Sequence, residues 1–195
     1  MQSEFFWQDS SLSVPIPKLF HSLEFDGPFE NCTLCGSVLR GGDGRYIIQR
    51  VFHKDEPILE LAMCMSCRDD HSMELSDESR ERIEQYIRQT LDLQPRIEKI
   101  TQLETIESLD PWLNECLLTG HPWSASNRRS ICGICCGDEL ELGHLFPYMI
   151  TGVAEEALSE RVSQKTRDWL SDFVGTHFGM PPEFCDTPDM TPMLF

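Results

Sequence analysis

Two pairs of cysteines in the first half of the chain have the spacing of metal ligands. The first pair is Cys32-Thr-Leu-Cys35, followed by Gly36, and the second is Cys64-Met-Ser-Cys67. Each Cys-x-x-Cys turn can place two thiolates on one edge of a tetrahedron, and Zn²⁺ is commonly held by four thiolates. We therefore predict one closed site for Zn²⁺, with iron as the alternative because four thiolates suit either metal.

The segment between the two pairs has the pattern of a β-hairpin. A glycine-rich turn at residues 41–44 precedes a β-branched and aromatic run at 45–52, and a second apolar run at 58–63 leads into the second pair. Two cysteine knuckles joined by a hairpin resemble a zinc ribbon over residues 30–70. This resemblance implies a fold reinforced by a metal, and it implies no reaction.

The charge balance restricts the classes of partner. The chain has 33 acidic and 16 basic residues, for a formal net charge of −17. Nucleic-acid binding needs a cationic surface that neutralises phosphates, and the sequence has no such cluster. We therefore expect no nucleic-acid partner. A protein partner is expected, and a basic one would suit the acidic surface.

The sequence also carries signals about the cellular compartment. No apolar run is long enough to predict a transmembrane helix, so we expect no membrane partner. The first residues lack the basic and apolar regions of a secretory signal. The nine cysteines are an odd number and occur in metal-type pairs, which favours a reducing, cytoplasmic location.

Several segments after the hairpin are predicted to be helical, so the predicted fold class is α+β. Ser76 is expected to cap a helix with an apolar face, and Asp110-Pro111 is expected to open a short helix that ends at Gly120. A further helix is predicted over residues 155–174. We predict no helix that begins directly at Cys64-Met-Ser-Cys67 or at Cys132-Gly-Ile-Cys135.

Residues 76–87 align without gaps with residues 163–174, and each stretch follows a Cys-x-x-Cys sequence. The match is either an internal repeat or a chance similarity of two amphipathic helices. In a repeat, Cys132-Gly-Ile-Cys135 would correspond to the first knuckle, Cys32–Cys35. The second knuckle would be lost, because Thr151 and Ala154 would stand opposite Cys64 and Cys67. Residues 1–120 and 121–195 would then form a zinc-ribbon-like module with helices and a degenerate copy, which either stand apart or pack as one domain.

The second copy is open to two interpretations. Cys132 and Cys135 could contribute to a second metal site, or they could form a knuckle without metal that is held by apolar packing. A second site would need further ligands, and the sequence does not select among the candidates, which are Cys116, His121, Cys136, His144, His177 and Cys185.

The function that the sequence favours is non-enzymatic. A site with four protein ligands has no open position for a catalytic water, and common nucleophile and phosphate-binding motifs are absent from the sequence. We predict a structural zinc site in a protein-interaction module. The alternatives are a Cys-x-x-Cys thiol–disulfide redox protein, because Cys64 follows a strand-like run, and a rubredoxin-like iron site.

Overall fold

The computed structural model describes residues 12–42 and 44–178, and strands from both halves of the chain join in one antiparallel sheet. Its strands are β1 (Leu12–Pro15), β2 (Arg45–His53), β3 (Glu56–Cys64), β4 (Arg128–Cys136), β5 (Glu139–Leu142) and β6 (Tyr148–Thr151). The order is β1-β5-β4-β2-β3, and β6 also pairs with β4. Strands β2 and β4 therefore lie at the centre.

Among the described residues, six α-helices follow or connect the strands. They are α1 (Met65–Met73), α2 (Asp77–Thr90), α3 (Gln94–Thr101), α4 (Asp110–Leu113), α5 (Gly152–Ser159) and α6 (Gln164–Phe178). Lys18–Phe20 and Trp123–Ala125 form short 3₁₀ helices. The predicted α+β class is confirmed.

The two central strands pair in an uninterrupted register that runs from Arg45 opposite Cys136 to His53 opposite Arg128. Nearly every residue of both strands is buried, as expected for strands whose two faces are covered. Gly133 of β4 leaves room for the Phe20 ring to pack on the sheet, because a Cβ at this position would lie 2.9 Å from that ring. The centre of the sheet is thus part of the core.

Strands β2 and β3 form the hairpin that the sequence predicts. The strands are joined by a tight turn at Lys54 and Asp55, and Lys54 has a positive φ of 56°. A β-bulge lies between Val51 and Phe52, near this turn. At the other end, Tyr46 stands opposite Cys64. The hairpin therefore carries Cys64 to the end of the sheet where the first cysteine pair lies.

Some helix ends lie where the sequence predicts them, and others do not. Ser76 is the predicted N-cap of α2, and its side chain accepts a hydrogen bond from the Ser79 amide at 3.2 Å. The predicted helix over residues 155–174 is two helices, because the chain breaks between α5 and α6 at residues 160–163. Helix α4 ends at Leu113, earlier than predicted.

Candidate metal centre

The four cysteines of the predicted site come from two segments that meet at one end of the hairpin. Cys32 and Cys35 belong to a turn before β2, Cys64 ends β3, and Cys67 lies in the first turn of α1. Their four Sγ atoms all lie within 4.8 Å of one another. The group can therefore hold one metal ion.

The spacing of the sulfur atoms can be compared with a zinc tetrahedron. A Zn–S distance of about 2.3 Å gives a tetrahedral S···S edge of about 3.8 Å. Sγ of Cys35 and Sγ of Cys64 are 3.8 Å apart, although they belong to different segments. This edge already has the length that a bound Zn²⁺ requires.

The first pair lies in a turn that is closed by two backbone hydrogen bonds. The Cys32 amide donates to the Ser37 carbonyl at 2.8 Å, and the Gly36 amide donates to the Cys32 carbonyl at 2.9 Å. Gly36 has a φ of +71°, a conformation that glycine adopts without the steric cost a Cβ brings. The glycine after Cys35 is therefore needed for the turn to close.

The second pair lies at a strand–helix junction. Cys64 is the N-cap residue of α1, and its amide donates to Sγ of Cys32 at 3.4 Å. The Thr33 amide donates to the Ala62 carbonyl at 2.8 Å, which ties the turn to β3. The prediction that no helix begins at this motif is wrong, since α1 starts at Met65.

Hydrogen bonding and burial shift the pKa values of two thiols of the cluster in opposite directions. Hydrogen bonds from Ser37 lower the pKa of the exposed Cys35 thiol to about 6. Burial, together with the neighbouring Cys35 and Cys64, raises the pKa of the Cys67 thiol. The Cys35 thiol therefore ionises readily, whereas the Cys67 thiol is held protonated mainly by burial. A divalent cation would stabilise the thiolate form of all four cysteines.

Cys132 and Cys135 lie in the middle of β4 and do not form a knuckle. They stand opposite Gln49 and Tyr46 of β2. Residues three apart in a strand face opposite sides of the sheet, so the two thiols cannot share a metal ion. Burial raises the pKa of Cys132 to about 12 and also raises that of Cys135. Both side chains are core residues.

In residues 12–42 and 44–178, the four-cysteine group is the one set of three or more ligand side chains close enough to bind a metal ion. Of the further candidates, Cys136 ends β4, and His177 is in α6. Cys185 lies outside the described residues.

Sequence reasoning missed the role of the turn that begins at Cys116. The Cys116 amide donates to the His121 carbonyl at 2.7 Å, and the Gly120 amide donates to the Cys116 carbonyl at 2.8 Å. Gly120 has a φ of +66°. These bonds match those of the first cysteine turn. The signal was present in the sequence Cys116-Leu-Leu-Thr-Gly120, which resembles Cys32-Thr-Leu-Cys35-Gly36. Of the two ligand positions in the first turn, the second turn keeps one cysteine and has Thr119 at the other.

A cleft of about 400 Å³ opens beside the metal centre. Its lining includes the cysteine turn at Cys32 and three carboxylates, those of Glu24, Glu30 and Glu60. Phe25 lines the cleft and is 66% exposed. The cleft therefore combines negative charge with an accessible aromatic ring.

Glu60 is the carboxylate that organises this cleft. It accepts a hydrogen bond from the Ser22 hydroxyl at 2.8 Å and another from the Leu23 amide at 3.0 Å, and it pairs with Arg50 at 3.5 Å. Glu24 and Glu30 are exposed at the rim. Glu30 also pairs with Arg40 at 3.9 Å. The negative charge that the rim offers a partner is thus mainly that of Glu24, with a part from Glu30.

No helix in the described part of the chain is long and apolar enough to cross a bilayer. Comparisons with protein-family models, with curated proteins and with solved structures found no significant match.

Proposed function

We propose that this chain is a non-enzymatic zinc protein, in which Cys32, Cys35, Cys64 and Cys67 hold a structural Zn²⁺ in a zinc-ribbon-like hairpin. The observation that carries the proposal is the convergence of four sulfur atoms from two chain segments within 4.8 Å. Thiolates in a reducing compartment remain available to bind metal, so the proposed location is the cytoplasm.

The proposed role of the metal is to close the fold locally. A Zn²⁺ with four protein ligands has no position left for water or substrate, which distinguishes structural from catalytic sites. Here the ion would tie the turn before β2 to the junction of β3 and α1. It would thereby hold the start of α1 against the end of the hairpin.

Metal analysis of the purified chain tests this proposal. Native mass spectrometry with elemental analysis should find one Zn²⁺ per chain, and Cys64→Ser should lose it. The melting temperature of Cys64→Ser should also fall sharply, because the apparent binding free energy of structural zinc is on the order of 10 kcal/mol. Cys136→Ser is the matched control and should keep its metal.

Two results would change the assignment. A coloured protein with stoichiometric iron would replace zinc by a rubredoxin-like centre, since four thiolates accept both metals. A wild-type chain without bound metal, purified with its four thiols in two disulfides, would contradict the metal site altogether.

Thiol–disulfide redox chemistry is a second candidate, and one observation favours it. Cys64 ends β3 and Cys67 lies in the first turn of α1, and a helix N-terminus stabilises a thiolate. An insulin-reduction assay on the metal-loaded and metal-free chain separates the two functions. Turnover abolished by Cys64→Ser would support redox chemistry, and no turnover in either form supports the structural site.

We also propose that the cleft beside the metal centre binds a basic segment of a protein partner. The support is charge complementarity, because Glu24 and Glu30 lie at its rim in a chain of net charge −17. The exposed Phe25 ring and the 61% exposed Leu23 supply the apolar contact that such a segment needs. The occupant is therefore expected to combine Lys or Arg with an apolar side chain.

A labelled peptide of alternating Lys and Leu is the probe for this surface. The double variant Glu24→Lys/Glu30→Lys should weaken its binding by about fivefold, since each exposed ion pair contributes about 0.2–1 kcal/mol. Glu104→Lys/Glu107→Lys changes the net charge equally at exposed positions and is the control. Equal losses in both variants, or equal binding of a Glu–Leu peptide, would show that the cleft has no selective role.

A further inference from the structure

We infer that the second half of the chain is a copy of the metal-binding unit in which three of the four ligand positions have been replaced. The inference rests on the proposed zinc site of the first half. It assigns one metal ion to the native chain and a latent metal site to the second half. The match between the two halves is seen in the backbone, the sheet and the helix contacts.

The first line of support is the cysteine turn. In both halves a cysteine amide donates to the carbonyl five residues later, and the amide of a glycine donates back to the cysteine carbonyl. The glycines are Gly36 and Gly120, with φ of +71° and +66°. Two hydrogen bonds and one unusual dihedral angle are therefore repeated at Cys32 and Cys116.

The second line of support is the thiol itself. The Cys64 amide donates to Sγ of Cys32 at 3.4 Å, and the Thr151 amide donates to Sγ of Cys116 at 3.5 Å. Cys64 and Thr151 are each the N-cap residue of the helix that follows the strand. The Cys116 thiol thus has the same orientation toward its strand–helix junction as the Cys32 thiol has.

The residues around the two turns are equivalent as well. The Leu39 amide donates to the Glu30 carbonyl at 2.8 Å, and the Trp123 amide donates to the Asn114 carbonyl at 2.8 Å. The two halves therefore match before, within and after the turn. A chance similarity of two amphipathic helices does not account for this agreement.

The helices that follow meet in a reciprocal contact. Ser76 and Ser163 are 87 residues apart and are hydrogen-bonded to each other at 2.9 Å. The Ser76 amide donates to Thr166 Oγ1 at 3.2 Å, and the Ser163 amide donates to Ser79 Oγ at 2.8 Å. Each copy thus makes the same bond to the other. Strands β2 and β4, one from each half, also pair antiparallel with each other, as expected for two copies related by a two-fold axis.

The equivalence assigns a residue of the second half to each metal ligand. The pairs are Cys32 with Cys116, Cys35 with Thr119, Cys64 with Thr151, and Cys67 with Ala154. Thr151 and Ala154 are 1% and 0% exposed. A cysteine is close to threonine in size and adds one sulfur to alanine, so a second four-thiolate site can be rebuilt on this backbone.

The test is the stoichiometry of zinc in the triple variant Thr119→Cys/Thr151→Cys/Ala154→Cys, made in the full chain and refolded with zinc. We expect one Zn²⁺ in the wild type and two in the triple variant. Addition of Cys116→Ser should return the count to one. The double variant Thr151→Cys/Ala154→Cys, with three thiols, should bind one more Co²⁺ than the wild type, seen in the visible spectrum.

The outcomes separate this inference from the proposed function. A wild-type chain without zinc would overturn the proposed function. One zinc in the wild type and still one in the triple variant, with no extra Co²⁺ in the double variant, would overturn the latent site alone. If the triple variant fails to fold, the Co²⁺ result of the double variant decides the question.

Discussion

His71 connects α1, the helix that contains Cys67, to the last helix, and its burial predicts a pH-dependent stability. The ring is 6% exposed, and its centroid lies 4.3 Å from that of Trp169 and 4.4 Å from that of Phe173. Its Nε2 atom is buried and has no hydrogen-bond partner among the described residues. A proton on this ring would therefore be poorly solvated.

These surroundings determine the direction in which the pKa of His71 is shifted. Burial, with a smaller contribution from the positive charge of His177, lowers the pKa of His71 to about 4 from an ordinary value of 6.5. The folded chain therefore binds this proton less tightly than the unfolded chain does. The contribution of the neutral His71 ring to the unfolding free energy is complete above pH 6.5. It is lost as the pH falls toward the folded-state pKa.

The shift gives the size of the loss. With these two pKa values, linkage predicts that the unfolding free energy falls by about 1.3 kcal/mol between about pH 7.5 and pH 5.5. The full loss, well below the folded-state pKa, is about 3 kcal/mol. The range down to about pH 5.5 is the useful one, because protonation of metal ligands adds its own loss at lower pH.

Urea unfolding of wild type and His71→Leu at both pH values measures this contribution. Leucine is apolar, does not titrate, and leaves no polar atom at the position of Nε2. We expect the pH dependence of the variant to be smaller by about 1.3 kcal/mol. His53→Gln, at an exposed position, is the control and should behave as wild type. A pH dependence unchanged in His71→Leu would refute the reasoning.

Two further predictions concern the contact between the copies and the effect of the metal. Ser79→Ala should destabilise the chain by about 2 kcal/mol in urea unfolding, because the Ser163 amide loses its acceptor in a half-buried site; Ser72→Ala, which loses only an exposed bond, should change little. Chelation should speed hydrogen exchange at the Gly36 amide and leave the Gly120 amide nearly unchanged, since the proposed zinc site holds only the first turn. Equal acceleration at both glycines would contradict this prediction.

The sequence predicted the hairpin and the cysteine group for local reasons. Runs rich in β-branched, aromatic and other apolar residues on either side of a turn specify β2 and β3, and the pairing then brings Cys64 to the turn that holds Cys32. The N-cap at Ser76 was also readable, because Ser accepts the free amides of a first helical turn. Each of these features depends on residues close in the chain.

The errors arose where long-range contacts decide the structure. Cys132 and Cys135 have knuckle spacing, but their segment pairs along its whole length with β2 and is a strand. Helix α1 has little apolar periodicity in its sequence, and it is positioned by Cys64 at its start and by the burial of His71 against α6. Neither partner strand nor partner helix is visible from local pattern alone.

The two copies indicate when a knuckle of this shape needs a metal. In the first half Cys32 is buried, but Cys35 is exposed, and Cys64 and Cys67 are half-buried. In the second half Thr151 and Ala154, which stand opposite Cys64 and Cys67, are almost fully buried, so apolar packing can hold the same backbone there. Three thiols near solvent gain little from packing and repel once ionised, whereas a bound cation would join them. The proposed metal therefore stabilises the half in which three of the four ligand positions lie outside the buried core.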